Sequence, residues 1–136
     1  MRRLLSVAGL ALVLGACASN QVRTPLPLDL GAPPRATTGF GGTWVGRWGQ
    51  TLDHTLVVQR IEGSQADFIY SWGANPAAGI APGFTRHTGT INGDMMRFTS
   101  PNNGAEVIYK LVDADTLIGQ YTLRGTTTPG RFTRLK

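Results

Sequence analysis

Two histidines, eight carboxylates, scattered serines and one cysteine are what the chain offers for proton transfer, nucleophilic attack or metal binding. Asp53-His54 precedes the second extended run, and Ser64, Ser71 and Ser100 lie downstream of it. A Ser-His-Asp relay would have to assemble entirely in space, because no G-x-S-x-G elbow exposes a serine on a strand-to-helix turn. Asp53, Glu62, Asp67, Asp94, Glu106, Asp113 and Asp115 fall mainly at turns or outward positions, where capping accounts for them. They do not form the facing pair that cleaves glycosidic bonds. One thiol and two histidines fall short of the four ligands of a closed zinc site, and a lone cysteine closes no internal disulfide. No enzyme, metal or cofactor is therefore expected. His87 shares the parity of Gly89 and Ile91 and is expected to point inward, as a bonded core residue or as a ligand contact.

Cys17, the single thiol, completes a different pattern. Arg2 and Arg3 are followed by Leu4 to Leu14, apolar or small except for Ser6, and then by Gly15 and Ala16. This charged, apolar and small-residue order is that of a secretory signal. The eleven residues of the apolar run are too few for a membrane span, which takes roughly 20, so residues 1–16 are expected to be a signal helix removed on export. Leu14-Gly15-Ala16-Cys17 resembles the lipobox of bacterial lipoproteins. The resemblance implies that the Cys17 thiol receives a diacylglyceryl group and becomes the new amino terminus, so that acyl chains hold the protein on a membrane. Ala18 stands where an Asp retains similar lipoproteins at the inner membrane, which implies an outer-membrane protein facing the periplasm.

The remaining elements must fit into about a hundred residues, enough for one domain. Residues 17–39 hold the lipidated cysteine and then Pro25, Pro27, Pro33 and Pro34 with few large apolar side chains. This reads as a semi-rigid tether with a reach of roughly 65 Å at about 3.1 Å per residue. A strand packed on the domain at Leu28 to Leu30 is the alternative. From residue 40 to 136, short runs alternate with turn chemistry every 8 to 12 residues or so, the pattern of a sandwich or small barrel. Strands are predicted near 42–49, 54–62, 65–73, 85–92, 94–100, 105–112, 116–123 and 129–135. Glu62-Gly63-Ser64, Asn92-Gly93, Asn102-Asn103-Gly104 and Asp113-Ala114-Asp115 supply hairpin turns.

The expectation is an all-β fold: an eight-stranded antiparallel up-and-down barrel. Parity places Trp44, Gly46, Trp48, Phe68, Tyr70, Trp72, Met96, Phe98, Val107, Tyr109, Leu111, Leu117, Gly119 and Tyr121 inside. Arg47, Asp67, Arg97, Lys110 and Gln120 fall outside. Outward charges and short runs argue against a membrane-spanning barrel.

Gly42-Thr43-Trp44 resembles the G-x-W opening of lipocalin-like barrels. That resemblance implies a tryptophan across the closed end with a late arginine, Arg131 or Arg134, over its ring as a cation–π partner. The longer stretches Gly42-Thr-Trp-Val-Gly-Arg-Trp, His54-Thr-Leu-Val-Val-Gln-Arg-Ile-Glu-Gly, Tyr70-Ser-Trp-Gly and Pro82-Gly-Phe-Thr-Arg-His are similar to a recurrent small secreted bacterial domain. This likeness covers most of 40–136 and implies a fold and no activity.

The longest connection runs from Trp72 to Thr85 and carries Ile80 and Phe84 among Gly, Ala and Pro. Trp72, Ile80, Phe84 and His87 are the candidate contacts for a ligand or partner, as a lid over the mouth or as a plug folded into it. Without Arg2 and Arg3 the net charge falls from +5 to +3, with the arginines scattered, so nucleic acid is not an expected partner. The expected function is a monomeric, lipid-anchored binding module for a small apolar or envelope-derived ligand. The alternative is a protein-interaction lipoprotein resembling the small barrel inhibitors of lysozymes or secreted proteases.

Overall fold

Alternation of apolar and polar side chains from Gly42 onward resolves into eight strands: β1 (Gly42–Trp48), β2 (Leu52–Glu62), β3 (Gln65–Trp72), β4 (Gly83–Asn92), β5 (Met95–Thr99), β6 (Glu106–Asp113), β7 (Thr116–Leu123) and β8 (Thr126–Arg134). They are seen in a computed structural model that describes residues 22–35 and 38–136. The expected signal peptide, Cys17 and residues 18–21 and 36–37 of the expected tether lie outside the described residues. Each strand pairs antiparallel with the next, and β8 returns to β1, so the sheet closes into an up-and-down barrel. Closure gives every strand two neighbours, which limits free sheet edge, although β4 and β5 pair only over Thr90–Asn92 and Met95–Arg97.

Several strand ends differ from expectation. β8 begins at Thr126 because Thr126, Thr127 and Thr128 pair with Leu123, Thr122 and Tyr121. β-Branched residues fit a pleated surface, so the threonine run extends the strand. The two-residue hairpin that makes this pairing feasible is Arg124-Gly125, with both residues at positive φ, 50° and 81°, the geometry that matches strand twist. β2 begins at Leu52, paired with Trp48, so Asp53-His54 lies within the strand and not before it.

The interior divides at mid-height. Toward one end, Phe40, Trp44, Leu56, Val58, Ala66, Met96 and Leu117 pack into a solid core. Arg134 closes that end: its guanidinium lies 4.1 Å over the Trp44 ring and donates to the carbonyls of Gly39 and Ala114 at 2.7 and 2.8 Å. The Trp44 indole donates in turn to the Phe40 carbonyl at 2.9 Å. Arg131 is exposed on the outer wall opposite Arg47, because it is an odd number of residues from Arg134 and so points to the other face of the strand.

The Pro-rich segment does not stand away from the barrel. The Arg23 N–H donates to Asp53 Oδ2 at 2.8 Å, and Thr24 Oγ1 to Thr55 Oγ1 at 2.6 Å. Ser71 donates to the Pro25 carbonyl. Both carboxylate oxygens of Asp29 accept from Arg86 Nη2, at 2.8 and 3.0 Å. Farther along, Thr43 donates to Pro34 O at 2.8 Å and Arg35 to Lys136 O at 2.7 Å. Residues 22–35 are thus a strap on the barrel, where a semi-rigid spacer was expected. Leu28–Leu30 is a single 3-10 turn, not a strand, and Leu28 is fully exposed. The strap's place is set by the outer wall, where Val57 and Ile69 point outward yet have no exposed surface. Apolar side chains on an outer face require such a cover.

Candidate ligand cavity

Above mid-height the barrel is hollow. A cavity of about 500 Å³ opens at the end formed by the β1–β2, β3–β4, β5–β6 and β7–β8 connections. Its walls are Trp48, Leu52, Tyr70, Trp72, Phe98 and Val107, and its mouth carries Thr51, Asn75, Asn102, Asn103 and Thr128. The volume falls within the roughly 300–1,000 Å³ of sites that enclose small molecules, and the apolar wall with a polar rim is the usual lining of such sites.

The floor is an aromatic layer made feasible by glycines. Gly119 and Gly130 face each other across β7 and β8, and a Cβ on either would come within 2.6–2.7 Å of Trp48. Their bare backbone lets the Trp48 and Phe132 rings lie flat against the wall and meet edge to face at 5.0 Å. His54 joins them, 5.4 Å from Trp48 and 5.1 Å from Phe132 by ring centroids.

His54 has no exposed surface. Its Nδ1 lies 2.7 Å from the Ser71 carbonyl, which only accepts, so Nδ1 carries the proton and Nε2 accepts from the Tyr109 hydroxyl at 2.8 Å. Burial holds the imidazole down to about 3, against a weaker upward pull from the Ser71 carbonyl. Burial likewise pushes the Tyr109 hydroxyl well above its ordinary value. Both groups are therefore neutral, and no serine or carboxylate partner completes a relay on this histidine: the pair ties the floor together. Burial, and then neighbouring Tyr121, also raise the Tyr70 hydroxyl, with Trp48 drawing it slightly the other way. Trp48 Nε1 itself is buried and meets no partner within hydrogen-bond geometry.

Of the residues singled out in the sequence, Trp72, Ile80 and His87 all line the cavity. The Trp72 indole donates to Ala81 O at 2.8 Å, and Ile80 makes a small antiparallel bridge with Asn75 that folds the long connection inward across the mouth. His87 bonds Thr85 Oγ1 through Nε2 at 2.6 Å and lies against Phe98 at 4.9 Å between centroids. Partial burial lowers its pKa. Phe84 does not join them: it pairs with Ser71 on the outer wall and is 40% exposed, because β4 starts two residues earlier than expected and sets its parity outward. Cys17 lies outside the described residues. The sequence reading did not place His54 in the floor. Its signal was parity, since His54 shares the face of Leu56 and Val58 along β2. Among the described residues, no group of three or more His, Cys, Asp or Glu side chains is placed to hold a metal ion.

No protein-family model matches the chain, and no curated protein matches it in sequence. Among solved structures it is similar to a redesigned β-barrel, with a TM-score of 0.57 and 17% identity over 71% of this chain and 91% of the other. At that identity the likeness concerns the fold alone. The protein is a closed eight-stranded antiparallel barrel.

Proposed function

We propose that this protein is a lipid-anchored lipoprotein of the bacterial envelope, held by Cys17 at the outer membrane facing the periplasm. Its barrel binds, without chemical conversion, a small apolar molecule that carries one polar end. The hollow, aromatic-lined upper half of the barrel, about 500 Å³ in volume, is the observation that carries this reading. Apolar walls accept the body of such a ligand, while the amides of Asn75 and Asn102 at the mouth suit its polar end. The lipocalin-like G-x-W opening is consistent with the reading, since barrels of that kind are containers.

The test uses a chain beginning at residue 18, which keeps every described residue and lacks the lipid. Titration with dodecanoate, followed through tryptophan fluorescence, should saturate at one molecule per barrel. Leu123→Trp, which places a ring in the cavity, should abolish saturation while leaving the circular dichroism spectrum intact. Failure of the unaltered chain to bind dodecanoate or the dye 1-anilinonaphthalene-8-sulfonate, together with native mass spectra of bare protein, would overturn the binding reading. The alternative of a loop-borne protein contact through Ile80 and Phe84 has a weaker footing, because Ile80 lines the cavity and Phe84 points away from it.

A further inference from the structure

The strap begins at the mouth of the cavity. Its first contact joins the Arg23 N–H to Asp53, whose own carbonyl accepts from the Gly73 N–H at 2.9 Å at the start of the long mouth connection. The fit there is tight, since a Cβ on Gly73 would lie 2.7 Å from the Arg23 carbonyl. From the rim the strap crosses the outside of β2, β3 and β4 and finishes at the closed end, on Thr43 and Lys136. The chain therefore enters the barrel at its open end. Cys17 precedes Arg23 by six residues, a step of at most about 22 Å even when fully extended. An anchor at Cys17 is thus leashed to the mouth rim and not to the closed end.

The charges of the two ends differ in the same sense. The mouth connections, residues 49–51, 73–82, 100–105 and 124–125, contain one charged residue, Arg124, and no carboxylate. The turns of the closed end carry Glu62, Asp94, Asp113 and Asp115 at their corners, with Arg60 on Glu62, Lys110 on Asp94, and Arg134 and Lys136 on Asp115, so that end is densely charged in both signs while the mouth connections are nearly uncharged. Asp53, the carboxylate nearest the rim, is neutralised by Arg47 at 2.7 Å and by the Arg23 N–H. The longest mouth connection is also built of small and apolar residues, with Ala77, Ala78, Ala81 and Pro82 exposed. Anionic headgroups repel carboxylates and tolerate a face of this composition.

We propose that the barrel sits mouth-down, its open face apposed to the anionic surface of the bilayer that holds the anchor. The cavity then opens onto the headgroup layer. This rests on the reading of Cys17 as a lipidated residue, and the strap is the mount that fixes the orientation.

The experiment uses the mature, lipidated chain reconstituted in vesicles of phosphatidylethanolamine and phosphatidylglycerol whose acyl chains carry a bromine quencher. Ala78→Cys puts a fluorophore at the mouth and Ser64→Cys puts one at the closed end, both at exposed turn positions. The Ala78→Cys label should be quenched several-fold more than the Ser64→Cys label. Gly73→Ala, which displaces Arg23, should shrink that contrast while the circular dichroism spectrum stays that of the barrel. Equal quenching at the two labels, or stronger quenching at Ser64→Cys, overturns the orientation. An unchanged contrast in Gly73→Ala overturns the strap as its mount. The mass of the mature chain is read in parallel: absence of the diacylglyceryl group overturns the anchor and the orientation together. A lipidated chain with equal quenching overturns the orientation alone and leaves ligand binding to its own titration.

Discussion

Acid should unfold this barrel through His54. The imidazole is fully buried and neutral, held down to about 3 from an ordinary 6.5. The unfolded chain takes up a proton on His54 as the pH falls below 6.5, whereas the folded barrel refuses it until about 3. Stability from this group is complete above 6.5 and is lost progressively as the pH falls through that window. Linkage over those limits gives a loss of about 2 kcal/mol by pH 5 and about 3 kcal/mol by pH 4, against a total of about 5–15 kcal/mol for a domain. Urea unfolding at pH 7, 6 and 5, followed by far-ultraviolet circular dichroism, should show this slope. His54→Gln should start lower, because the Tyr109 hydroxyl loses its acceptor at a cost of about 1–3 kcal/mol, and should then be nearly flat between pH 6.5 and 5. His87, depressed by partial burial, slopes in the same direction, so both chains are compared in a His87→Gln background. Asp113, lowered first by the Asp115 backbone N–H, loses its contribution only in the acid range of carboxylates and leaves the window undisturbed. A His54→Gln chain with the full slope of the unaltered protein would refute the assignment of His54 as the buried neutral group.

Gly119→Ala should lower stability by about 1–3 kcal/mol in urea unfolding, since its Cβ would stand 2.6 Å from Trp48 and 2.8 Å from Phe132. Arg134→Ala removes both the ring contact and the bonds to the closed-end carbonyls, and should cost about 3 kcal/mol. Arg131→Ala, an exposed outer-wall change, should stay within about 0.5 kcal/mol by the same assay. Asp29→Ala should leave the melting temperature almost unchanged, because its contact with Arg86 is exposed, whereas Ser71→Val should loosen the strap and raise amide exchange at Ile69.

Most of the barrel was legible because strand parity is a local signal. Phe68, Tyr70 and Trp72, or Val107, Tyr109 and Leu111, announce one face without knowledge of any other strand. The misplacements occurred where non-local pairing decides. Thr126 to Thr128 looks like a turn until Arg124-Gly125 is seen to close the hairpin, and an arginine at positive φ carries no turn signature of the Asn-Gly kind. Phe84, expected in the connection, falls on the strand because pairing with β3 reaches back to Gly83. The proline-rich segment reads from its composition as a semi-rigid, extended spacer. Its contacts with Thr55, Ser71 and Arg86 are invisible until the outer wall exists. His54 belonged to the same class: its parity was readable, but its partners Ser71 and Tyr109 come from strands 17 and 55 residues away.

Whether an eight-stranded barrel is solid or hollow is decided by side-chain size at each level, since its bore is just wide enough for either. In the lower half the inward positions are Trp44, Leu56, Val58, Met96 and Leu117, and they meet across the axis. At mid-height two glycines on β7 and β8 let Trp48 and Phe132 reach inward as a floor, braced by the His54–Tyr109 bond. Above the floor β4 turns Thr85 and His87 inward and β8 turns Thr128 inward, while Tyr70, Trp72 and Phe98 also line the cavity. The β3–β4 and β7–β8 ladders continue past the void, whereas the β4–β5 ladder stops below it at Thr90–Arg97. Filling it costs the fold little, because the floor beneath already seals the core. The same change that blocks a ligand should therefore leave stability almost unaltered, which makes Leu123→Trp a clean separation of container from scaffold.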